Sequence, residues 1–206
     1  RYVRNYSPHR PWGQHYSYPF RVLPSMRSWY SACQAGECNA VQARYWQPKP
    51  AEELYDTKAD PFEIENLVGQ PDHADRLDAM RRTLREEIIA TRDTSLIPEG
   101  MLMRIAAEST AYEYAHSDRY PIERVVAIAD RAASRDAGAL DSLVRALADP
   151  HPAVRYWGAT GCLILQEKAM PAKRQLLATL DDEWGDVRIA SAEALGYLGE
   201  TEAALE

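Results

Sequence analysis

A 33-residue period in the last third of the chain constrains its fold more than any other feature. Leu147, Val154, Arg155, Ala159, Leu165 and Glu167 return as Leu180, Val187, Arg188, Ala192, Leu198 and Glu200. A fixed period of this length, in helical composition, marks stacked helix pairs, since one pair cannot bury its apolar face alone. The pattern predicts a helix from Pro121 to about Ser134, then pairs at about 138–148 with 151–166 and 170–180 with 184–198. Pro150, Pro152 and Pro171 fall at helix starts or turns, where a missing N–H does least harm. Ala159, Gly161, Ala190, Ala192 and Ala194 are small enough for neighbouring helices to approach closely. A further unit is expected to start near Ala203-Ala204, and the chain opens on Arg1-Tyr2-Val3-Arg4-Asn5-Tyr6 without an initiator Met. It therefore reads as a fragment, starting in a strand whose partner lies upstream or near Leu54-Tyr55.

Charge is unevenly spread. Residues 1–50 carry seven Arg or Lys and only Glu37 as an acid, whereas the whole chain has a formal net charge of −7. This basic front, with six tyrosines and three tryptophans, offers a surface for an anion or packs against an acidic body. Base stacking on a nucleic acid is a third use for it, but the strongly acidic remainder opposes a polyanion, so no nucleic-acid partner is expected. No apolar run reaches the roughly 18 residues of a membrane-spanning helix. The three cysteines, Cys33, Cys38 and Cys162, show neither a CxxC pair nor zinc-ligand spacing. Cys162 reads as a core residue, and a Cys33–Cys38 disulfide stays open.

Within the front, Pro8, Pro11 and Gly13 bar regular structure, so 1–24 should form an ordered loop after the first strand, with Trp12, Tyr16, Tyr18 and Phe20 buried. Two short helices are expected at 25–36, capped by Ser25, and at 38–47, around a turn at Gly36. Glu53-Leu54-Tyr55-Asp56 reads as a short strand and Asp60-Pro61 as a turn. An amphipathic helix follows from about Ala74 to Thr91, with Leu77, Met80, Leu84 and Ile88 as its apolar stripe. Its charged side (Arg81, Arg82, Arg85, Glu86 and Glu87) reads as a solvated face.

Two resemblances follow from these residues. Asp149-Pro150-His151-Pro152-Ala153-Val154-Arg155 and Asp182-Glu183-Trp184-Gly185-Asp186-Val187-Arg188 make 121–206 resemble HEAT repeats. That family's ladder of turn Asp and helix Arg implies Asp149 with Arg155, and Asp182 or Asp186 with Arg188. Asp181-Asp182 is then a repeat turn, with no metal-binding role. The opening strand, Glu53-Leu54-Tyr55-Asp56 and Asp60-Pro61-Phe62-Glu63-Ile64-Glu65-Asn66-Leu67 make 1–100 resemble the C-terminal subdomain of type I sulfatases, alkaline-phosphatase-like hydrolases. In that pattern Leu54 enters the core, Asn66 pins a turn and Leu67 re-enters the core. The expected fold is α+β: a small antiparallel sheet with packed helices over 1–100, a linker at 101–120, and an all-α HEAT-like repeat over 121–206.

The sulfatase resemblance implies a parent enzyme that hydrolyses sulfate esters, by default those of sugars. It also implies a formylglycine nucleophile made from Cys or Ser in C/S-x-P-x-R, and a calcium ion holding the sulfate oxygens. None of the three cysteines lies in such a motif. The resemblance places the catalytic residues, metal ligands and cofactor in the family's N-terminal domain, outside this chain, which should be inactive alone. The N-terminal sulfatase domain is then its partner, and periplasmic or extracellular localisation is implied. The candidate substrate-binding residues are His9, Arg10, Gln14 and His15: a planar cation for sulfate or carboxylate, and hydrogen-bonding groups for sugar hydroxyls. The alternative is a non-enzymatic interaction module, with the repeats holding a protein partner. Exposure of Tyr156, Trp157 or Trp184 would favour that partner, and burial would favour packing.

Overall fold

The computed structural model describes residues 1–205, in two compact units, Arg1–Ala74 and a second that begins at Asp75. The helix at 74–90, grouped with the front by resemblance, belongs by its contacts to the second unit.

In the first unit, β1 (Tyr2–Arg4) pairs antiparallel with β2 (Glu52–Leu54), Tyr2 opposite Leu54 and Arg4 opposite Glu52. The opening strand thus takes the second of its two expected partners. On the far edge of β2, the Asn66 side chain does the job of a strand: Oδ1 accepts the Leu54 N–H at 3.0 Å and Nδ2 donates to the Glu52 carbonyl at 3.0 Å. Asp60 Oδ2 accepts the Ile64 and Glu65 amides, which fixes the turn leading there. Leu54 is buried as expected, while Leu67 is half-buried.

Between the strands lie α1 (Ser17–Val22), α2 (Pro24–Gln34), α3 (Ala40–Ala43) and a 3-10 turn over Arg44–Trp46. Three expectations are corrected here. Residues 17–22 are helical, because Pro19 sits in a first turn that needs no N–H from it. Ser25 is not the cap of α2, which starts one residue earlier with Pro24 in its first turn. Only Phe20 of the four named aromatics is buried, whereas Trp12 is half-buried and Tyr16 and Tyr18 are 57% and 68% exposed. Gly36 turns with φ +77°, and a Cys33–Cys38 disulfide with Cα atoms 4.8 Å apart closes that turn. Trp29 stacks on Tyr45 at 4.7 Å between centroids and meets Trp46 edge-on at 5.3 Å. With few aliphatic side chains inside, this aromatic cluster takes the place of a larger core.

The second unit is all helical: α4 (Ala74–Ala90), α5 (Glu99–Ile105), α6 (Ala111–Ala115), α7 (Ile122–Ala133), α8 (Leu140–Ala146), α9 (Pro152–Leu165), α10 (Lys173–Ala178), α11 (Gly185–Tyr197) and α12 (Thr201–Leu205). The starts of α8 and α10, and of α9 and α11, are each 33 residues apart, so the sequence period is a structural one. Helix α9 packs between α7 and α11, and 12 of its residues are buried. Cys162 and Trp157 lie in that core, while Tyr156 and Trp184 are half-buried, which favours packing as their role.

Residues 101–120, expected as a linker, are folded into this unit. Arg92, in the left-handed region at φ 56°, aims its guanidinium at the carbonyls of Ala115 and Ser117. Tyr120 donates to the Asp93 carbonyl at 2.7 Å, and Trp157 Nε1 to the Leu96 carbonyl at 2.7 Å. The ladder also differs from expectation. Arg155 and Arg188 each donate Nη1 to the backbone carbonyl of the Asp in their own turn, Asp149 and Asp182. The carboxylate contact runs between units instead, with Arg155 bidentate on Asp182 at 2.6 and 3.0 Å.

His151 gives this stack a pH dependence. Its Nδ1 accepts the Ala153 N–H at the start of α9, so the ring is neutral, with its proton on Nε2 facing Tyr114 Oη at 2.8 Å. Burial first, and then the Arg124 charge, lower its pKa to about 4, against a weaker opposing pull from Asp149. An unfolded histidine titrates near 6.5, so below that pH the unfolded chain binds the proton more tightly. Stability from this ring should be complete above 6.5 and lost as pH falls towards 4, on the order of 2 kcal/mol once partial solvation is discounted. Thermal unfolding between these limits should show a flatter pH slope in His151→Asn, which keeps the cap. Equal slopes would place the acid sensitivity elsewhere.

Candidate functional site

The segment from Ser7 to Tyr16, between β1 and α1, carries all four candidate residues. Pro8 is fully buried and anchors its start. Pro11 bridges to Pro48, and the Gly13 N–H donates to the Tyr45 carbonyl at 2.8 Å. Gly13 is needed there: a Cβ would lie 2.4 Å from the Trp46 ring and 2.7 Å from that of Tyr45. Two further bonds, Gln14 N–H to the Trp12 carbonyl and Tyr16 N–H to the Gln14 carbonyl, hold the turn that follows. The loop is thus an ordered scaffold without regular structure, as its prolines and glycine suggested.

On this scaffold Arg10, Gln14 and His15 are exposed and His9 is half-buried. The His15 ring lies 4.1 Å from that of Phe20, which restricts the imidazole. Exposed Tyr16 and Tyr18 follow on the same stretch. Together these offer a planar guanidinium, an amide, imidazoles and aromatic faces to solvent, a set able to bind a sulfate group and the hydroxyls of a sugar.

Beneath the strands lies a polar network that sequence reading did not single out. Glu53, 6% exposed, accepts from Asn5 Nδ2 and Tyr55 Oη, each at 2.6 Å. Burial, then the Glu53 bond, pushes the Tyr55 phenol well above its ordinary range. Burial outweighs the Glu53 charge at Lys49 and lowers that ammonium. Asn5 also donates to the Pro50 carbonyl at 2.8 Å, tying the entry of the loop to β2. Alternation marked Asn5 and Glu53 only as strand residues, and their pairing depends on strand register.

No group of three or more His, Cys, Asp or Glu able to hold a metal ion occurs among the described residues. Cys33 and Cys38 are in a disulfide, and burial pushes the Cys162 thiol up to about 12, so no cysteine here supplies a thiolate. None of the cysteines sits in C/S-x-P-x-R, whereas Ser17-Tyr18-Pro19-Phe20-Arg21 has the spacing of its serine form and lies in α1. No helix among the described residues is long and apolar enough to cross a membrane.

No protein-family model matches the sequence, and no solved structure matches it. Over 104 residues, half of the chain, it is 33% identical to an ulvan-active sulfatase of Formosa agariphila. The chain spans 17% of the length of that protein. It is therefore related to a sulfatase, and over a small part of one.

Proposed function

We propose that this chain is part of a sulfatase that hydrolyses sulfate esters of a glycan, and that its loop at 7–16 lines the substrate cleft. The 33% identity to the ulvan-active enzyme carries this reading, and it makes ulvan the first substrate to try. On this proposal the formylglycine and calcium belong to the rest of the parent enzyme, and the first unit resembles a C-terminal subdomain leaning on that body. The exposed Val22 and Leu23 give it apolar surface for such a contact. The Cys33–Cys38 disulfide suits an oxidising compartment, in keeping with a periplasmic or extracellular enzyme.

The cleft role of the loop has a direct test in the parent enzyme. Arg10→Ala and His15→Ala should each lower kcat/KM on sulfated oligosaccharide by about tenfold or more, the effect of losing a hydrogen bond to a charged group. Melting of both variants should be followed alongside, since the His15 ring packs on that of Phe20. Unchanged kcat/KM in both would make the loop structural.

For the second unit a different reading has its own support. Helix pairs repeating every 33 residues resemble HEAT repeats, which bind partners through an extended surface. The half-buried Tyr156 and Trp184 favour plain packing within the stack over capture of a separate protein. A truncated parent lacking the repeats separates the two, since a packing role predicts lost stability and a partner role predicts intact activity.

A further inference from the structure

A second feature of the first unit involves none of the four candidate residues. An open cleft of about 370 Å³ is bounded by Trp12, Val41, Tyr45, Phe62 and Ile64, with Arg and Glu side chains between them. Three apolar side chains stand exposed on its rim: Phe62 is 83% exposed, Val41 48% and Ile64 41%.

The charges in the cleft balance. Arg1 Nη1 lies 2.8 and 2.9 Å from the two carboxylate oxygens of Glu63. Arg44 directs Nη2 to the Ile64 carbonyl at 2.7 Å. Glu53 at the floor is held by Asn5 and Tyr55. Among the side chains two guanidinium groups face two carboxylates, and the Arg1 α-ammonium is held on the Tyr55 carbonyl at 2.8 Å. What remains is a set of aromatic and aliphatic walls, with carboxylate and guanidinium edges able to bond hydroxyls. The size falls in the lower part of the range for small-molecule sites, about 300–1,000 Å³.

We propose that this cleft is a subsite for an uncharged sugar ring of a glycan, whose C–H face packs on the aromatic walls while its hydroxyls meet the Arg1–Glu63 pair. The proposal rests on the glycan-sulfatase reading and deepens it. Trp12 belongs to the same loop as Gln14 and His15, so a ring in the cleft and a sulfate at the loop could belong to one oligosaccharide.

The test uses the 206-residue chain with xylohexaose, galactohexaose and mannohexaose, and separately with ulvan oligosaccharides, by saturation-transfer NMR and calorimetry. At least one neutral hexaose should bind with a millimolar Kd, and Phe62→Ala should weaken it about fivefold or more, a loss typical of one aromatic contact. Ile64→Ser should weaken it in the same direction. Both side chains are exposed, so circular dichroism and Tm should stay at wild-type values. No saturation transfer from any hexaose, or binding untouched by Phe62→Ala, overturns the subsite. Ulvan binding that is lost in Arg10→Ala but kept in Phe62→Ala overturns the subsite and leaves the loop reading standing. Hexaose binding lost only in Phe62→Ala, without ulvan binding, supports the subsite and counts against the loop.

Discussion

Replacing Arg155 with alanine is expected to cost about 3 kcal/mol of stability in the second unit, at the lower end of what breaking a buried ion pair costs. The Arg155 and Asp182 side chains are only 13% and 8% exposed, and the guanidinium meets both carboxylate oxygens. The same guanidinium holds the Asp149 carbonyl at 2.9 Å, so one side chain fastens its own turn and that of the next unit. Burial pushes the Asp182 carboxyl up, but bonds from Arg155 and the Trp184 N–H, together with the Arg charges, hold it below its ordinary value. Its contribution is therefore present above the ordinary 3.8 and lost as the pH falls below that. Arg155→Ala leaves the Asp182 carboxylate with the Trp184 amide and the Arg188 charge, but without the bidentate guanidinium. Arg155→Lys keeps the charge but loses the planar fork, and should cost less than alanine. Native-state hydrogen exchange at the amides of α9 and α11 would measure the loss within this unit. A loss below about 1 kcal/mol, as for a surface pair, would show that this contact does not hold the stack.

That contact also marks the limit of what the sequence disclosed. A helix reads locally, so the 33-residue period and the positions of the prolines placed α7 to α11 within a few residues. The partner of Arg155 does not read locally. The nearest acid in its own repeat is Asp149, but the carboxylate within reach is Asp182, because the turns of adjacent units are brought side by side by stacking. The first unit shows the same division. Asp60, Asn66 and Gly36 act where turn chemistry put them. Helix α1, the exposed tyrosines and the Glu53 network depend on packing that no local pattern encodes. For the candidate loop, its order was legible from Pro8, Pro11 and Gly13. The cleft beside it was not, since Trp12, the Val41–Tyr45 segment and Phe62 come from three separate stretches of chain.

Gly158→Val should be the most damaging substitution of a small residue in the stack, with an expected loss of about 3 kcal/mol or more, the upper range for overpacking a core. A Cβ at Gly158 would lie 2.9 Å from the Leu143 carbonyl oxygen and 3.0 Å from the Leu147 nitrogen, so α8 and α9 touch there through backbone. Backbone cannot rotate away as a side chain does. At Gly161 the obstacle is the Leu143 side chain, whose Cδ2 would lie 2.4 Å from the new atom and which can in part give way. Gly161→Ala should therefore cost less than Gly158→Ala. One repeat later the position equivalent to Gly158 is Ser191, whose hydroxyl bonds that of Thr179 at 2.7 Å, in place of the contact between Gly158 and Ala146. The crossing of α9 on α8 is thus the tighter of the two. Gly196 in α11 has nothing within 4 Å of a Cβ, so Gly196→Ala should stabilise the helix by about 0.5–1 kcal/mol through propensity alone. Opposite signs at Gly158 and Gly196 in urea unfolding would establish that close approach, rather than helix propensity, selects glycine at 158. A neutral Gly158→Ala would mean that α8 slides on α9 at little cost, and that the tight crossing is not needed to hold the repeat together.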